Sequence, residues 1–252
     1  MIIDTHCHLD DDRYIDDLEE VLQRAKDNKI EKMIIPAADP QTLKRAIELA
    51  DSYDNIYFSV GVHPYDASNY NREFIEEFIT HPKCVAVGEC GLDYYRLPDN
   101  NIEEYKNLQK EVFIDQIELA QKYNKPLIVH IRDASKDSLE ILISTNSSNG
   151  VLHCYNADEE LLQLTKRDFY FGIGGVVTFK NAKKLINVLP KIPYDKLLIE
   201  TDAPYLTPSP HRGKRNEPSY CKFIADKIED IININNIQSI TTENANRLFK
   251  FS

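Results

Sequence analysis

Short apolar runs recur along the chain and alternate with stretches in which apolar residues return every three or four positions. The runs, rich in Ile and Val, predict buried strands, whereas the wider spacing predicts amphipathic helices. Strand patterns cover residues 2–5, 32–36, 56–60, 84–88, 126–130, 150–153, 169–173 and 196–200. Helical spacing covers residues 15–25, 43–49, 112–120, 220–232 and 242–249. The chain is therefore predicted to belong to the α/β class.

The arrangement of these units favours one closed barrel. Nearly continuous apolar strands separated by helices indicate a parallel sheet covered on both faces. Eight such units in 252 residues are typical of a (β/α)8 TIM barrel. An open sheet would favour a glycine-rich turn after the first strand, but Asp4-Thr5-His6-Cys7-His8 stands there. With no linker or repeat in the sequence, residues 1–252 are predicted to form a single domain.

The chain is acidic, with a formal net charge of −11. A protein that coats duplex DNA is usually basic, so any nucleic acid would have to meet a local basic patch. The five cysteines show no C-x-x-C pair, which indicates reduced thiols and a cytoplasmic protein: Cys7, Cys84, Cys90, Cys154 and Cys221. A first strand at residue 2 leaves no room for a secretory leader, and no apolar run suits a bilayer. We expect no membrane association.

Good metal ligands stand at the carboxyl ends of five predicted strands. They are His6, His8, Glu89, His130, His153 and Asp202. Active sites of these barrels lie at that rim, so the six side chains are predicted to meet there. His6 and His8, two residues apart on a strand, project to the same side and could chelate one ion. The set predicts a metal centre.

The donor types indicate which ions and which chemistry. Four imidazoles and two carboxylates suit Zn²⁺ or Mn²⁺, and Mg²⁺ less well. Two ions could share a deprotonated water, with Glu89 as the bridge between them and Asp202 as both ligand and proton acceptor. Glu89 and Asp202 are thus the predicted catalytic residues. Glu200 is either a support for a ligand or a polar residue of the barrel interior.

Each member of the set also has an ordinary structural interpretation. The histidine pair at residues 6 and 8 could be polar residues at a strand end. His130 and His153 could be hydrogen-bonded core histidines. Glu89 could lie in a surface turn, and Asp202 could cap a helix. The metal interpretation depends on all six side chains sharing one rim.

A basic cluster follows the last predicted strand and consists of His211, Arg212, Lys214 and Arg215. Loops at this position often bind phosphate in such barrels, and guanidinium groups match phosphate oxygens. Arg132 and His63, at the ends of two other strands, are predicted to bind the same group. The alternative interpretation of residues 211–215 is a solvated loop. Lys180 is a further candidate for phosphate binding and could equally be a surface residue. Three tyrosines near the rim could stack unpaired bases or simply pack: Tyr94, Tyr95 and Tyr205.

Several stretches match one family. The chain resembles the TatD-type deoxyribonucleases, a branch of the amidohydrolase-like barrels, from its first strand to its last helix. The most specific matches are Gly88-Glu89-Cys90-Gly91-Leu92-Asp93-Tyr94, Glu200-Thr201-Asp202-Ala203-Pro204-Tyr205 and residues 207–218. The resemblance implies a two-metal phosphodiesterase that acts on DNA as a 3′ to 5′ exonuclease at single-stranded or damaged ends. Tyr65 and Tyr155-Asn156-Ala157 depart from the pattern, which affects the expected substrate preference.

Two alternatives to a DNA exonuclease stay open. The same barrel could hydrolyse a small amide, lactone or phosphoester, although such an enzyme has no need of the basic cluster at 211–215. A barrel without catalysis could serve as a binding protein, which the presence of Glu89 and Asp202 disfavours. No obligate protein partner is inferred.

Overall fold

In the computed structural model, which describes residues 1–36 and 38–251, eight strands form one parallel sheet in sequential order. The strands are β1 Ile2–Asp4, β2 Ile30–Ile35, β3 Ile56–Val60, β4 Cys84–Asp93, β5 Leu127–Arg132, β6 Gly150–Leu152, β7 Phe169–Ile173 and β8 Leu197–Ile199. All eight correspond to predicted strands, and the predicted barrel is confirmed. Ser252, the last residue of the predicted domain, lies outside the described residues.

Helices follow the strands and cover the outside of the sheet. They are α1 Leu18–Asp27, α2 Leu43–Ser52, α3 Arg72–Phe78, α4 Ile102–Tyr123, α5 Ser135–Ser144, α6 Lys183–Val188, α7 Cys221–Ile232 and α8 Ile237–Phe249. A 3₁₀ helix, Glu159–Arg167, takes the place of a helix after β6. Among the described residues, none of the helices has the length and apolar character needed to cross a bilayer. All five cysteines are free thiols.

Hydrogen bonds between the two ends of the chain bring β1 and β8 together. The Thr5 N–H donates to the Ile199 carbonyl (3.1 Å), and the Asp202 N–H donates to the His6 carbonyl (2.9 Å). The His8 N–H donates to the Ala203 carbonyl (2.7 Å). Residues that immediately follow the first and last strands are therefore held side by side at the carboxyl rim.

Apolar side chains fill the barrel interior. Each strand contributes to this cluster: Ile3, Ile34, Tyr57, Val85, Ile128, Val151, Tyr170 and Leu198. Leu248 and Phe249 of α8 pack against the same cluster and add their side chains to it. A larger apolar cluster contains residues of the strands and of the surrounding helices. Packing supports the barrel from within and from outside, so the rim can carry polar groups.

Candidate metal centre

Glu89 lies at the centre of the four predicted histidine ligands. Its Oε2 lies 3.3 Å from His6 Nε2 and 4.0 Å from His8 Nε2. Its Oε1 lies 2.9 Å from His130 Nδ1 and 3.8 Å from His153 Nε2. The two oxygens of one buried carboxylate thus face two different pairs of imidazoles.

A bulge in β4 and the glycine at position 91 place Glu89 inside the rim. β4 advances three residues, from Val87 to Cys90, while the paired strand β5 advances only two. The extra residue redirects the side chain, as bulges beside active sites often do. Gly91 has φ +138°, and a Cβ there would lie 2.0 Å from the His130 carbonyl oxygen. Only glycine allows β4 to approach β5 so closely, which sets the position of Glu89 relative to His130.

Asp202 completes the predicted set from the turn after β8. Its Oδ1 lies 3.5 Å from His8 Nε2 and 3.9 Å from His6 Nε2. Its backbone is left-handed (φ +56°), a conformation that aspartate tolerates better than most residues. Burial opposes ionisation, but the hydrogen bond to His8 and the charge of His153 hold the pKa of Asp202 below its usual value. The structure therefore brings all six predicted side chains together.

Two further carboxylates orient two of the histidines. Glu200 Oε1 lies 3.0 Å from His153 Nδ1 and accepts a hydrogen bond from the Cys154 N–H (2.6 Å). Asp93 Oδ2 lies 2.8 Å from His130 Nε2. In each ring the other nitrogen then points toward Glu89, an arrangement that often supports metal-bound histidines. Sequence reasoning gave Asp93 no role, because the predicted fourth strand ended at residue 88, before Glu89 and Asp93.

His6 gives the clearest indication that the centre suits a cation. Both ring nitrogens are buried and lack a well-directed hydrogen bond from the described residues. Burial lowers the pKa of His6, and the ring stacks on His153 with centroids 3.4 Å apart. A neutral imidazole left unpaired in the interior is costly, whereas a metal ion would satisfy its free nitrogen.

The possible ligand atoms form overlapping groups in which all members lie within 4.8 Å of one another. Three of these groups draw only on the predicted set: His6, His8 and Glu89; Glu89, His130 and His153; and His6, His153 and Asp202. The first two share Glu89 alone. Imidazoles and carboxylates are the donors that Zn²⁺ and Mn²⁺ accept. The residues present therefore fit a pair of divalent ions.

His63 faces the same centre from the end of β3. Its Nδ1 accepts a hydrogen bond from the Tyr65 N–H (3.1 Å), so the proton lies on Nε2. That nitrogen is 3.8 Å from Glu89 Oε1. Burial lowers the pKa of His63 to about 4, so the ring is neutral at pH 7 and can donate one hydrogen bond toward the centre.

The predicted cations do not gather at one place. Arg132 lines a cavity of about 520 Å³ beside the centre, and its guanidinium lies 3.6 Å from the centroid of the exposed Tyr95 ring. Arg212 instead lies over Phe179 and donates to the Thr207 carbonyl (3.1 Å).

Lys214 and Arg215 line a separate surface pocket. Arg215 is bound there by Asp17 through hydrogen bonds of 2.6 and 2.8 Å. His211 lines the same pocket, so three of the four cations at 211–215 lie together there, and binding of phosphate by this cluster stays a prediction.

The rim tyrosines differ from one another. Tyr94 is half-buried and donates to Asp137 (2.9 Å), so it has a packing role. Tyr95 and Tyr205 are exposed, at 56% and 46% of their surface. Tyr205 lines the cavity and meets His8 edge-on, with ring centroids 5.8 Å apart. Lys180 is exposed in the loop after β7.

Comparison with known proteins agrees with this geometry. Residues 3–250 match the family described as TatD related DNase. The chain is 46% identical to the metal-dependent hydrolase YabD of Bacillus subtilis, over the full length of both. It is 36% identical to the metal-dependent hydrolase YcfH of Escherichia coli K12, over 98% of this chain and 95% of that protein.

Solved structures show the same relationship. The crystal structure of YJJV, a TatD homologue from Escherichia coli K12, superposes with a TM-score of 0.91 at 28% identity, over 100% of this chain and 98% of that one. An amidohydrolase from Saccharomyces cerevisiae, with a TM-score of 0.80 at 18% identity, shares the fold over 98% of this chain and 99% of that one. On its sequence and its barrel, this chain belongs to the TatD family of metal-dependent hydrolases.

Proposed function

We propose that the chain hydrolyses phosphodiester bonds of DNA at two divalent ions, removing nucleotides from single-stranded or damaged 3′ ends. The observation that carries the proposal is the position of the Glu89 carboxylate, whose two oxygens face separate pairs of imidazoles. A carboxylate placed in this way suits a bridge between two cations. Pairs of metal ions are a common device for phosphodiester hydrolysis.

Each ion would have its own imidazole ligands. His6, His8 and Glu89 would hold one, and Glu89, His130 and His153 would hold the other, with Asp202 beside His8. When bound, such ions polarise a phosphate oxygen and make a water molecule more acidic. Zn²⁺ and Mn²⁺ match these ligands best, and Mg²⁺ matches them less well.

The protein's own groups would handle the proton and the phosphate. Asp202, whose lowered pKa keeps it ionised, would accept a proton from the attacking water. The neutral His63 would donate a hydrogen bond from its Nε2–H to a non-bridging oxygen of the phosphate. Arg132, at the edge of the cavity, would bind the same phosphate through its planar donors.

The three predicted cations of the loop after β8 would act farther along the DNA strand. Lys214 and Arg215 line the second pocket, and Arg212 lies against Phe179, so none of them is directed at the centre. Contacts from Arg212, Lys214 and Arg215 would then be to phosphates beyond the scissile bond. Few such contacts imply a shallow dependence of binding on salt.

The test combines metal analysis with the polarity of degradation. Purified protein is assayed for bound metal, then given single-stranded DNA labelled at its 5′ or 3′ end with Zn²⁺, Mn²⁺ or Mg²⁺. The proposal expects a 5′-labelled strand to shorten in single-nucleotide steps. Metal-loaded protein that cleaves no DNA under any of these conditions would refute it.

Arg132→Ala tests the phosphate contact. Loss of a charge-assisted hydrogen bond worth ~1.5–3 kcal/mol should lower kcat/KM on DNA by about 10- to 100-fold. Arg45→Ala, on the outer helix α2, is the matched control and should leave kcat/KM unchanged. Equal effects of the two changes would contradict the role of Arg132.

A small-molecule substrate is the second candidate, favoured by the separation of the 211–215 cations from the cavity. A hydrolase of small amides, lactones or phosphoesters would use the same ions. Rates on bis(p-nitrophenyl) phosphate, a p-nitrophenyl ester and single-stranded DNA distinguish the candidates. Faster turnover of the carboxylic ester than of both phosphodiesters would favour the second candidate.

A further inference from the structure

The second pocket is an open groove of about 710 Å³ on the outer wall of the barrel. One wall is α1, with Asp17 just before the helix, Arg24 near its end and Asn28 just after it. The other wall is formed by residues between 211 and 223, which lead into α7. Because α1 begins at the carboxyl rim and ends before β2, the groove follows the helix away from the candidate metal centre. We call it the α1 groove.

Both acids of the α1 groove are already paired with arginines. The buried Glu217 accepts hydrogen bonds from the Arg24 guanidinium (2.8 and 3.0 Å). Asp17 accepts two hydrogen bonds from Arg215 (2.6 and 2.8 Å). A positively charged ligand would therefore have to break one of these pairs before it could bind.

Lys214 is the cation of the α1 groove that stays available to a ligand. It is exposed, and its ammonium forms no ion pair with the part of the chain that the structure describes. Since two acids offset the two arginines, Lys214 leaves the groove with one excess positive charge. The whole chain has a formal net charge of −11, so this excess is a local feature. It favours an anionic ligand.

Aromatic rings form one face of the α1 groove. The His211 ring stacks on Tyr220, with centroids 4.4 Å apart and planes 8° from parallel. Phe223 meets His211 at a tilt, with centroids 5.0 Å apart. All three rings are partly exposed. Rings next to a basic groove are typical of proteins that stack unpaired bases irrespective of sequence.

A row of contacts joins the α1 groove to the cavity beside the centre. Tyr205 lines that cavity, and the Arg13 guanidinium lies 4.4 Å from its ring centroid. Arg215, which lines the α1 groove, donates a hydrogen bond to the Arg13 carbonyl. A strand that leaves the centre over Tyr205 can therefore reach the groove along Arg13.

We propose that the α1 groove is a second DNA-binding site, which holds the part of a single strand that lies upstream of the cleaved 3′ end. The inference rests on the proposed function, because the 3′ end of the same strand must lie at the metal centre. Lys214 binds a backbone phosphate, and the stacked rings of His211 and Tyr220 hold an unpaired base. The preferred substrate is then a strand several nucleotides long rather than a dinucleotide.

The experiment compares two fluorescent oligothymidylate strands of about 4 and about 16 nucleotides, the range of single-strand site sizes. Phosphorothioate linkages at their 3′ ends slow hydrolysis, so metal-loaded protein can be titrated and binding followed by anisotropy. The ratio of the two Kd values cancels most of the contribution of the metal centre. Wild-type protein is expected to bind the long strand at least ~10-fold more tightly.

Two changes and one control locate the effect. Lys214→Ala should weaken binding of the long strand alone, by about 3- to 10-fold, and make its salt dependence less steep by ~0.7, the slope for one phosphate contact on a single strand. His211→Ala removes the stacked face and should weaken the long strand at least ~5-fold with the salt slope unchanged. Lys222→Ala, at an exposed position of α7 outside the groove lining, should change neither Kd.

The outcomes separate this inference from the function on which it rests. If the long strand binds no more tightly than the short one, or if Lys214→Ala and His211→Ala keep the wild-type Kd values, the second site is refuted and the proposed function stands. Poly-glutamate that displaces the long strand as well as unlabelled oligothymidylate does would identify a surface for acidic protein segments and overturn the DNA assignment. If metal-loaded wild-type protein binds neither strand, the proposed function fails and this inference fails with it.

Discussion

Gly91→Ala tests whether the approach of β4 to β5 sets the centre. The added Cβ would lie 2.0 Å from the His130 carbonyl oxygen, whereas ordinary contact begins near 3.4 Å. The strands would have to separate by about 1.4 Å at that point. His130 Nδ1 lies only 2.9 Å from Glu89, so the separation would move a predicted ligand away from the predicted bridge.

Misplacement of a reacting group by ~1 Å can cost about 10²-fold in rate. We therefore expect kcat/KM on single-stranded DNA to fall by at least ~10²-fold, with less metal retained after dialysis. Circular dichroism and urea unfolding report whether the barrel persists. The control for metal content is Gly213→Ala, which shares a positive φ (+84°) but meets nothing within 4 Å and should retain the wild-type amount of metal. Wild-type kcat/KM and metal content in Gly91→Ala would refute the reasoning.

Three further changes probe other groups of the centre. Asp202→Asn should keep the fold and lose at least ~10²-fold in kcat, and a wild-type rate would exclude Asp202 as proton acceptor. Glu200→Gln weakens support of His153 and should lower metal affinity by about 10- to 100-fold in a chelator competition, whereas Glu217→Gln, a buried acid paired with Arg24, should not. The pKa of His63 is lowered, so its protonation favours the unfolded state. The free energy of unfolding of the metal-free protein, measured by urea titration, should fall as pH drops from ~6.5 toward 4. The His63→Gln variant should show a shallower fall than the wild type. An identical dependence on pH in the two proteins would contradict this prediction.

The barrel could be predicted from the sequence because its strands are apolar on both faces and eight of them recur along the chain. Strand ends were harder to predict. β4 was predicted to stop at residue 88 but continues to Asp93, because Gly88 and Gly91 serve a close strand pairing rather than a turn. α4 spans Ile102–Tyr123 rather than residues 112–120, since its first turns are polar. Local composition does not reveal which glycines face another backbone.

The convergence of the six rim side chains followed from topology alone, since parallel strands end at one rim. The pairing of Arg215 with Asp17 could not be predicted, because the two residues are 198 positions apart in sequence and no periodicity connects them. Asp93 was overlooked for a related reason: its role depends on the ring orientation of His130. Side chains whose roles depend on a partner need coordinates, whereas those whose roles depend on a strand end do not.

The hydrogen bonds that join β1 to β8 have a consequence for folding. His6 and its neighbour Asp202 are separated by nearly two hundred residues in sequence. Until β8 reaches β1, Asp202 is not beside the histidines that follow the first strand. We therefore expect the six side chains to assemble only when the barrel closes.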